Sequence, residues 1–328
     1  MVKRILFISK GLDSASTRYR ALQFFPLFHQ AGSEAVHVTA AGNPNNYFHA
    51  LRLAATSDVV VVLRKTFPNP MLWLLRHLSR KLVFDFDDAI FCNTDGSSSA
   101  TRMRRFAAMT SVCDHVLAGN FFLADFAKRF NSTVTVVPTC VDTKRYSSER
   151  GKSQDFFDIV WIGSSSTKKY LVDALPWIEA ATTKIPGLRL KIIADFDLPG
   201  YGIPTLPIRW RAETEARELA TAHIGIAPMR DDDWSRGKCA LKVLQYMAAG
   251  LPVLSSNAGA NRDVVVEGET GFLVSSPAGW VEQLERLASN ATLRQQMGDA
   301  GRHRVETEYS FKPVFERLHT VITKLDRE

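Results

Sequence analysis

The densest run of chemistry-bearing side chains falls in residues 231–253. There Asp231, Asp232 and Asp233 precede Trp234, Arg236, Gly237, Lys238, Lys242 and Gln245. If this polar stretch enters a helix, Lys238, Lys242 and Gln245 stand at i, i+4 and i+7, near one face. Two ammonium groups and an amide on one face suit phosphate oxygens and ribose hydroxyls. The same spacing also suits two solvated lysines. Gly250 and Pro252 then end the helix and pass the chain into the apolar residues 253–255.

Two other stretches combine the right residue types. In Trp161-Ile-Gly-Ser-Ser-Ser-Thr-Lys-Lys-Tyr170, a strand runs into a helix through Gly163, Ser164 and Thr167, with Lys168 and Lys169 following. Glycine permits close backbone approach, hydroxyls cap the helix, and a helix N-terminus favours anions, so the loop reads as a diphosphate cradle or as an ordinary capped turn. It has neither the G-x-G-x-x-G nor the Walker A pattern and so names no cofactor. Asp85, Asp87 and Asp88 form the third stretch, at the end of an apolar run. Carboxylates there accept hydroxyl bonds or offset positive charge at a reacting carbon; Asp88 as the cap of a helical turn is the alternative. Arg18, expected at the start of the first helix, opposes the helix dipole and needs a compensating partner, an acceptor anion or the aspartate cluster.

Positioning these groups requires strands that end beside them. Apolar runs at residues 4–9, 35–39, 59–63, 82–85, 115–118 and 133–137 alternate with amphipathic stretches at 17–30, 47–55, 71–79, 102–111 and 120–129. Continuous apolar strands between helices predict a parallel sheet covered on both faces. The pattern restarts with residues 158–162, 168–183, 188–194, 214–220, 224–227, 240–249, 253–255 and 278–288, and closes on a helical run over 311–325. A chain of 328 residues fits two domains of roughly 150 residues each. The polar stretch 142–155 marks the linker, giving an N-terminal domain over 1–150, a C-terminal domain over 151–308, and a last helix over 309–328 returning to the first domain. Ligands of open parallel sheets lie beyond the carboxyl ends of the strands, so residues 9–16, 85–91, 163–167, 195–201 and 228–238 are expected to rim a shared cleft.

The net charge of +7 favours an anionic partner. No basic helix is paired with an aromatic base-stacking platform, so nucleic acid is not expected. Cys92, Cys113, Cys140 and Cys239 lie far apart, without a C-x-x-C pair, and read as free thiols of a reducing cytosol. The opening apolar run is too short for a signal peptide, and no stretch of about 18 apolar residues predicts a membrane span.

Gln245-Tyr-Met-Ala-Ala-Gly-Leu-Pro-Val253 resembles the second half of the E-x7-E signature of the retaining GT-B-fold glycosyltransferases. That large family includes sucrose synthases and many bacterial lipopolysaccharide and exopolysaccharide transferases. The resemblance spans nearly the whole chain. It takes in Ser16-Thr-Arg-Tyr-Arg20, Phe84-Asp-Phe-Asp-Asp-Ala-Ile-Phe91, Val137-Pro-Thr-Cys-Val-Asp142, Ile159-Val-Trp-Ile-Gly163, Asn257-Ala-Gly-Ala-Asn261 and Gly268-Glu-Thr-Gly-Phe-Leu-Val274. It departs at both glutamates: the first, which contacts the transferred sugar, falls on Gly237, and the second, which binds the donor ribose, on Gln245.

The resemblance implies an α/β protein of GT-B fold, two Rossmann-like doubly wound domains facing across a cleft. It implies transfer of a hexosyl-type sugar from a nucleoside-diphosphate sugar to a glycan or lipid-linked acceptor, with retention and without a metal or other cofactor. Gly163, Ser164, Thr167, Lys168, Trp210, Gly237, Lys238, Lys242 and Gln245 then bind the donor. Asp87, Asp88 and Lys238 are the catalytic candidates, and Arg18 with Asp85 face the acceptor. A catalytically silent sugar-nucleotide- or glycan-binding member of the same fold is the alternative. A nicotinamide-linked dehydrogenase shares the sheet type but needs the missing glycine fingerprint. Arg76, Arg80 and Lys81, then Arg102, Arg104 and Arg105 beside Met103 and Phe106, suit either a peripheral contact with an anionic inner membrane face or plain solvation. The expected location is cytoplasmic.

Overall fold

The structure is a computed structural model that describes residues 2–12, 14–146, 151–198 and 201–325. The chain groups into two units, one of Met1–Cys140, Asp232–Cys239 and Phe311–Glu328, the other of Val141–Asp231 and Ala240–Ser310.

The first unit is built on six parallel strands: β1 (Arg4–Ser9), β2 (Glu34–Thr39), β3 (Val59–Leu63), β4 (Lys81–Phe86), β5 (His115–Ala118) and β6 (Val134–Val136). Their order is β2-β1-β3-β4-β5-β6, so the winding reverses between β1 and β3. Val-Val-Val-Val-Leu of β3 is buried throughout because helices cover both faces. Helices Pro44–Ala54 and Phe121–Ala127 begin at Asn43 and Asn120, whose side chains accept from backbone N–H groups. In the last helix, Phe311–Lys324, Val314, Leu318, Val321 and Ile322 form an i, i+4, i+7, i+8 stripe that packs with Phe24 and Phe28.

One helix was expected over residues 17–30, but the chain forms two, Ala15–Arg20 and Phe25–Gln30, joined by a 3-10 turn. Pro26 explains the break, since it has no N–H and fits only the first turn of a helix.

The second unit repeats the plan with β7 (Phe157–Gly163), β8 (Leu188–Ala194), β9 (Thr205–Arg209), β10 (Ile224–Ala227), β11 (Val253–Ser256) and β12 (Gly271–Val274). The order is β12-β11-β10-β7-β8-β9, which places its reversal between β7 and β10. The strand β12 and the helix Ala291–Arg304 were absent from the expected elements. β9 is an edge strand of alternating exposure interrupted by Pro207. The helix is mostly polar, so it carries no strong apolar signal.

Of the expected linker, residues 147–150 lie outside the described residues. Before them, Asp142 caps the 3-10 turn Thr143–Arg145, and Val141 and Tyr146 are buried in the core of the second unit. Among the described residues no helix is long and apolar enough to cross a membrane. Cys92, Cys113 and Cys140 are buried and free; Cys239 is free and half-buried.

Candidate active site

In the first unit the carboxyl end of β4 carries Asp85 and opens the loop bearing Asp87 and Asp88. Asp85 is buried and takes a two-pronged ion pair from Arg20, whose second amino group reaches Asp85 Oδ2 at 2.7 Å and the Val137 carbonyl at 3.0 Å. Burial works against the guanidinium charge, but the Asp85 carboxylate outweighs it and holds Arg20 above its ordinary range. Asp85 is therefore spent on structure and is not available to an acceptor. Arg18 is exposed on the other side of the same short helix and does not reach the cluster. The Asp85 assignment is thus corrected, and of the two partners expected for Arg18 the aspartate cluster is ruled out: Thr17, Arg20, Ala21 and Phe24 follow the buried stripe, while Arg18 is off it.

Asp88 is also buried, and two cations meet it. Arg64 bonds it from the end of β3, and Lys238 Nζ stands 3.0 Å from its Oδ2. Burial lifts the Asp88 carboxyl above its ordinary value, with Lys238 and Arg64 pulling the other way. Asp87 lies beside them, 3.8 Å from Arg64. Arg64 has φ 46°, one of two non-glycine residues in the left-handed region among the described residues. Such a conformation, held next to an ion cluster at a strand end, is the kind of strain found at functional sites.

Lys238 does not share a helix face with Lys242 and Gln245. The helix starts only at Leu241, because Ala240 (φ 52°) is left-handed and breaks the run. Residues 232–239 belong to the first unit, where Asp232 caps a single turn and Trp234 enters the core. Asn120 Nδ2 holds the Arg236 and Lys238 carbonyls, each at 3.0 Å. Lys238 Nζ lies 3.9 Å from the centre of the Trp234 ring. A Cβ on Gly237 would come within 2.6 Å of Ala89 Cβ and 2.7 Å of its nitrogen, so a side chain there is sterically refused. The expectation that Lys238 shares the helix face of Lys242 and Gln245 is corrected accordingly.

In the second unit, β7 ends at Gly163 and the loop Ser164–Thr167 follows. A Cβ on Gly163 would strike the Trp161 indole at 2.4 Å, which explains the glycine. Lys242 Nζ stands 4.0 Å over that indole and 3.2 Å from Thr167 Oγ1. Lys168 Nζ lies over Phe196 and 3.3 Å from the Asp197 carbonyl. Gly163, Ser164, Thr167, Lys168 and Lys242 therefore converge at the carboxyl end of β7, where the strand order reverses.

Gln245 is corrected as a ribose contact. It is 4% exposed, and its amide donates to Glu215 Oε1 at 2.7 Å. Buried Glu215 also accepts from the Tyr146 hydroxyl (2.7 Å) and the Trp210 indole N–H (2.8 Å). This hub fixes the Trp210 ring, which remains 37% exposed. Glu215, Arg20 and Arg64 were not singled out from sequence. Arg64 directly follows the apolar run 59–63, a position that signals a strand end; Glu215 carries no such mark.

With this geometry in place, the likenesses to known proteins can be read. Residues 157–290 match the family model described as glycosyl transferases group 1, so the second unit carries the group 1 glycosyltransferase pattern. The chain as a whole has the GT-B fold of two Rossmann-like units. A glycosyltransferase from Rickettsia africae superposes with TM-score 0.77 at 13% identity, covering 99% of this chain and 98% of that one. Anabaena HepE, solved with UDP and glucose, gives 0.70 at 13% identity over 98% and 100%. By sequence, spore coat protein SA of Bacillus subtilis is 33% identical over 83 residues, and an alpha-1,3/1,6-mannosyltransferase of Dictyostelium discoideum 32% over 83. Those stretches cover 24% and 25% of this chain and only 22% and 20% of the two relatives.

Proposed function

We propose that this chain is a glycosyltransferase that moves a hexosyl-type sugar from a nucleoside-diphosphate sugar to a glycan or lipid-linked acceptor, with retention of configuration. The carrying observation is Lys242, held over Trp161 and beside Thr167 at the strand-order reversal of the group 1 unit. A departing diphosphate needs cations and N–H donors aimed at its developing charge. Lys242 and Lys168 with the Ser164–Thr167 backbone meet that demand without a metal. Trp210, fixed by Glu215, offers a ring to the nucleobase. In the first unit Asp87 receives acceptor or sugar hydroxyls, and the ion pairs of Asp88 with Arg64 and Lys238 hold the loop that carries it.

The test is donor turnover. Incubation with a panel of nucleotide sugars, with and without membrane extract and with EDTA, should release nucleoside diphosphate, and NMR of the product should show the donor's anomeric configuration. A second reading, a silent sugar-nucleotide- or glycan-binding member of the fold, is favoured by the steric refusal of a side chain at Gly237. Donor binding with no release in any of these incubations would establish it and defeat the first.

A peripheral contact with an anionic membrane is part of the proposal. Helix Asn69–Leu78 exposes Trp73, Leu74 and Leu78 beside Arg76, and the helices Pro44–Ala54, Asn69–Leu78 and Ala100–Val112 contain no acidic residue. Flotation with phosphatidylglycerol vesicles, lost in Trp73→Ser/Leu74→Ser, is the expected outcome; equal flotation of the variant removes this contact.

A further inference from the structure

The first unit holds a cavity of about 250 Å³ at the carboxyl ends of β1 and β3. That is where its strand order reverses, the place where open parallel sheets take ligands. Ser9, Ser14, Ser16 and Thr17 line it together with Lys10, Leu63 and Arg64. The hydroxyl wall is organised from behind: Thr17 Oγ1 donates to Ser9 Oγ at 2.8 Å, His37 Nε2 lies 2.8 Å from the same oxygen, and Ser14 and Ser16 pair at 2.9 Å.

Among the described residues, Lys10 stands near three further cations. Burial lowers the Lys10 pKa, and the nearby Arg64, Lys65 and Arg102 lower it further. Lys65 is lowered by burial as well, and its ammonium lies 5.4 Å from the centres of the Tyr47 and Phe67 rings. Arg64 is engaged with Asp87 and Asp88. Among the described residues Lys10, Lys65 and Arg102 form no ion pair. Like charges crowded beside a hydroxyl-lined cavity repel one another until an anion enters, and the anion that best uses several donors and more than one cation is a phosphate.

We propose that this cavity binds a phosphate group carried by the acceptor, close to the hydroxyl that is glycosylated. The inference rests on the glycosyltransferase reading for the word acceptor, but phosphate recognition by the first unit is measurable without any turnover. The phosphate is either a soluble ester or the phosphodiester of a lipid headgroup, and the chemistry of the cavity is the same for both.

The experiment is calorimetric titration of the full chain with glycerol 3-phosphate and, in a second arm, flotation with phosphatidylglycerol vesicles against neutral vesicles. Nucleoside-diphosphate binding is measured in parallel. Lys10→Ala and, separately, Ser14→Ala/Ser16→Ala should weaken phosphate binding at least tenfold while leaving nucleoside-diphosphate affinity unchanged. Lys184→Ala, an exposed pair with Glu285 in the second unit, is the charge control and should change neither. Binding of the soluble ester lost in the variants identifies a soluble acceptor; binding only of anionic vesicles, lost in the same variants, identifies a lipid. Unchanged binding in both variants would overturn the proposal. So would competition between glycerol 3-phosphate and nucleoside diphosphate for one site, or no binding in either arm. Phosphate binding without donor release would retain the cavity and refute the transferase reading instead.

Discussion

The two strand-end regions use charge in opposite ways. In the first unit, buried carboxylates are answered by cations: Asp85 by Arg20, Asp88 by Arg64 and Lys238. In the second, the buried carboxylate of Glu215 is answered by a hydroxyl, an amide and an indole N–H, and Lys242 and Lys168 are held against ring faces, a hydroxyl and a carbonyl. An aromatic face or a hydroxyl orients an ammonium group without cancelling its charge, whereas a carboxylate cancels it. The Asp85 and Asp88 cluster therefore holds its geometry by ion pairing, whereas Lys242 and Lys168 are oriented by ring faces, a hydroxyl and a carbonyl.

The sharpest way to break the comparison is at Arg20. Arg20→Met leaves Asp85 buried with no cation and should lower unfolding stability by about 3–5 kcal/mol in urea titration, with much of the loss recovered in the Arg20→Met/Asp85→Asn double variant. A loss below about 1 kcal/mol would mean that the pair is not the unit's keystone. Glu215→Ala, which removes the acceptor from two buried donors and from the Trp210 indole N–H, should cost about 2–3 kcal/mol and shift Trp210 fluorescence. Stability equal to the native chain would show the hub to be incidental.

Next comes ligand affinity. Lys242→Ala should weaken nucleoside-diphosphate binding at least tenfold, about 1.4 kcal/mol. Lys238→Ala should leave that affinity intact and lower turnover. Equal losses in both would restore the single-face arrangement that the left-handed Ala240 argues against.

The smallest effect concerns pH. Burial, with Lys152 and Arg294 adding to it, pushes His223 down from 6.5 to about 4, and its Nδ1 accepts from the Asp158 N–H at 3.0 Å. The unfolded chain binds the proton more readily between those values, so this contribution is complete above pH 6.5 and is lost as pH falls toward 4. His223→Gln should flatten that acid limb, a difference of roughly 2–4 °C in Tm by differential scanning calorimetry. An unchanged slope would assign the acid limb to other groups.

Much of the scaffold was legible because burial on both faces leaves an unbroken apolar run: β1, β3, β5 and β8 begin and end at the expected residues. Strand ends then pointed to Gly163, Thr167, Asp87 and Asp88, since topology alone confines ligand loops. What escaped depended on single backbone or packing choices. Nothing in an alanine announces the positive φ at residue 240, yet that one conformation moves Lys238 off the helix face. Arg18 and Arg20 are chemically alike, and only the inward stripe Thr17, Ala21, Phe24 distinguishes them. Glu215 became significant through its long-range partners at positions 146 and 245, a grouping that no local spacing encodes.

The eight residues Asp232–Cys239 have a consequence for exchange between relatives. They sit in the middle of the second unit's sequence but supply Trp234 to the first unit's core and Lys238 to its Asp88. A chimera that replaces everything from residue 141 to 310 would thus import a foreign tryptophan and lysine into a host core shaped for its own. Recombination that respects the fold has to move Ala89, whose backbone crowds Gly237, together with that distant octapeptide. Two stretches about 150 positions apart in the chain are bound to be inherited as one.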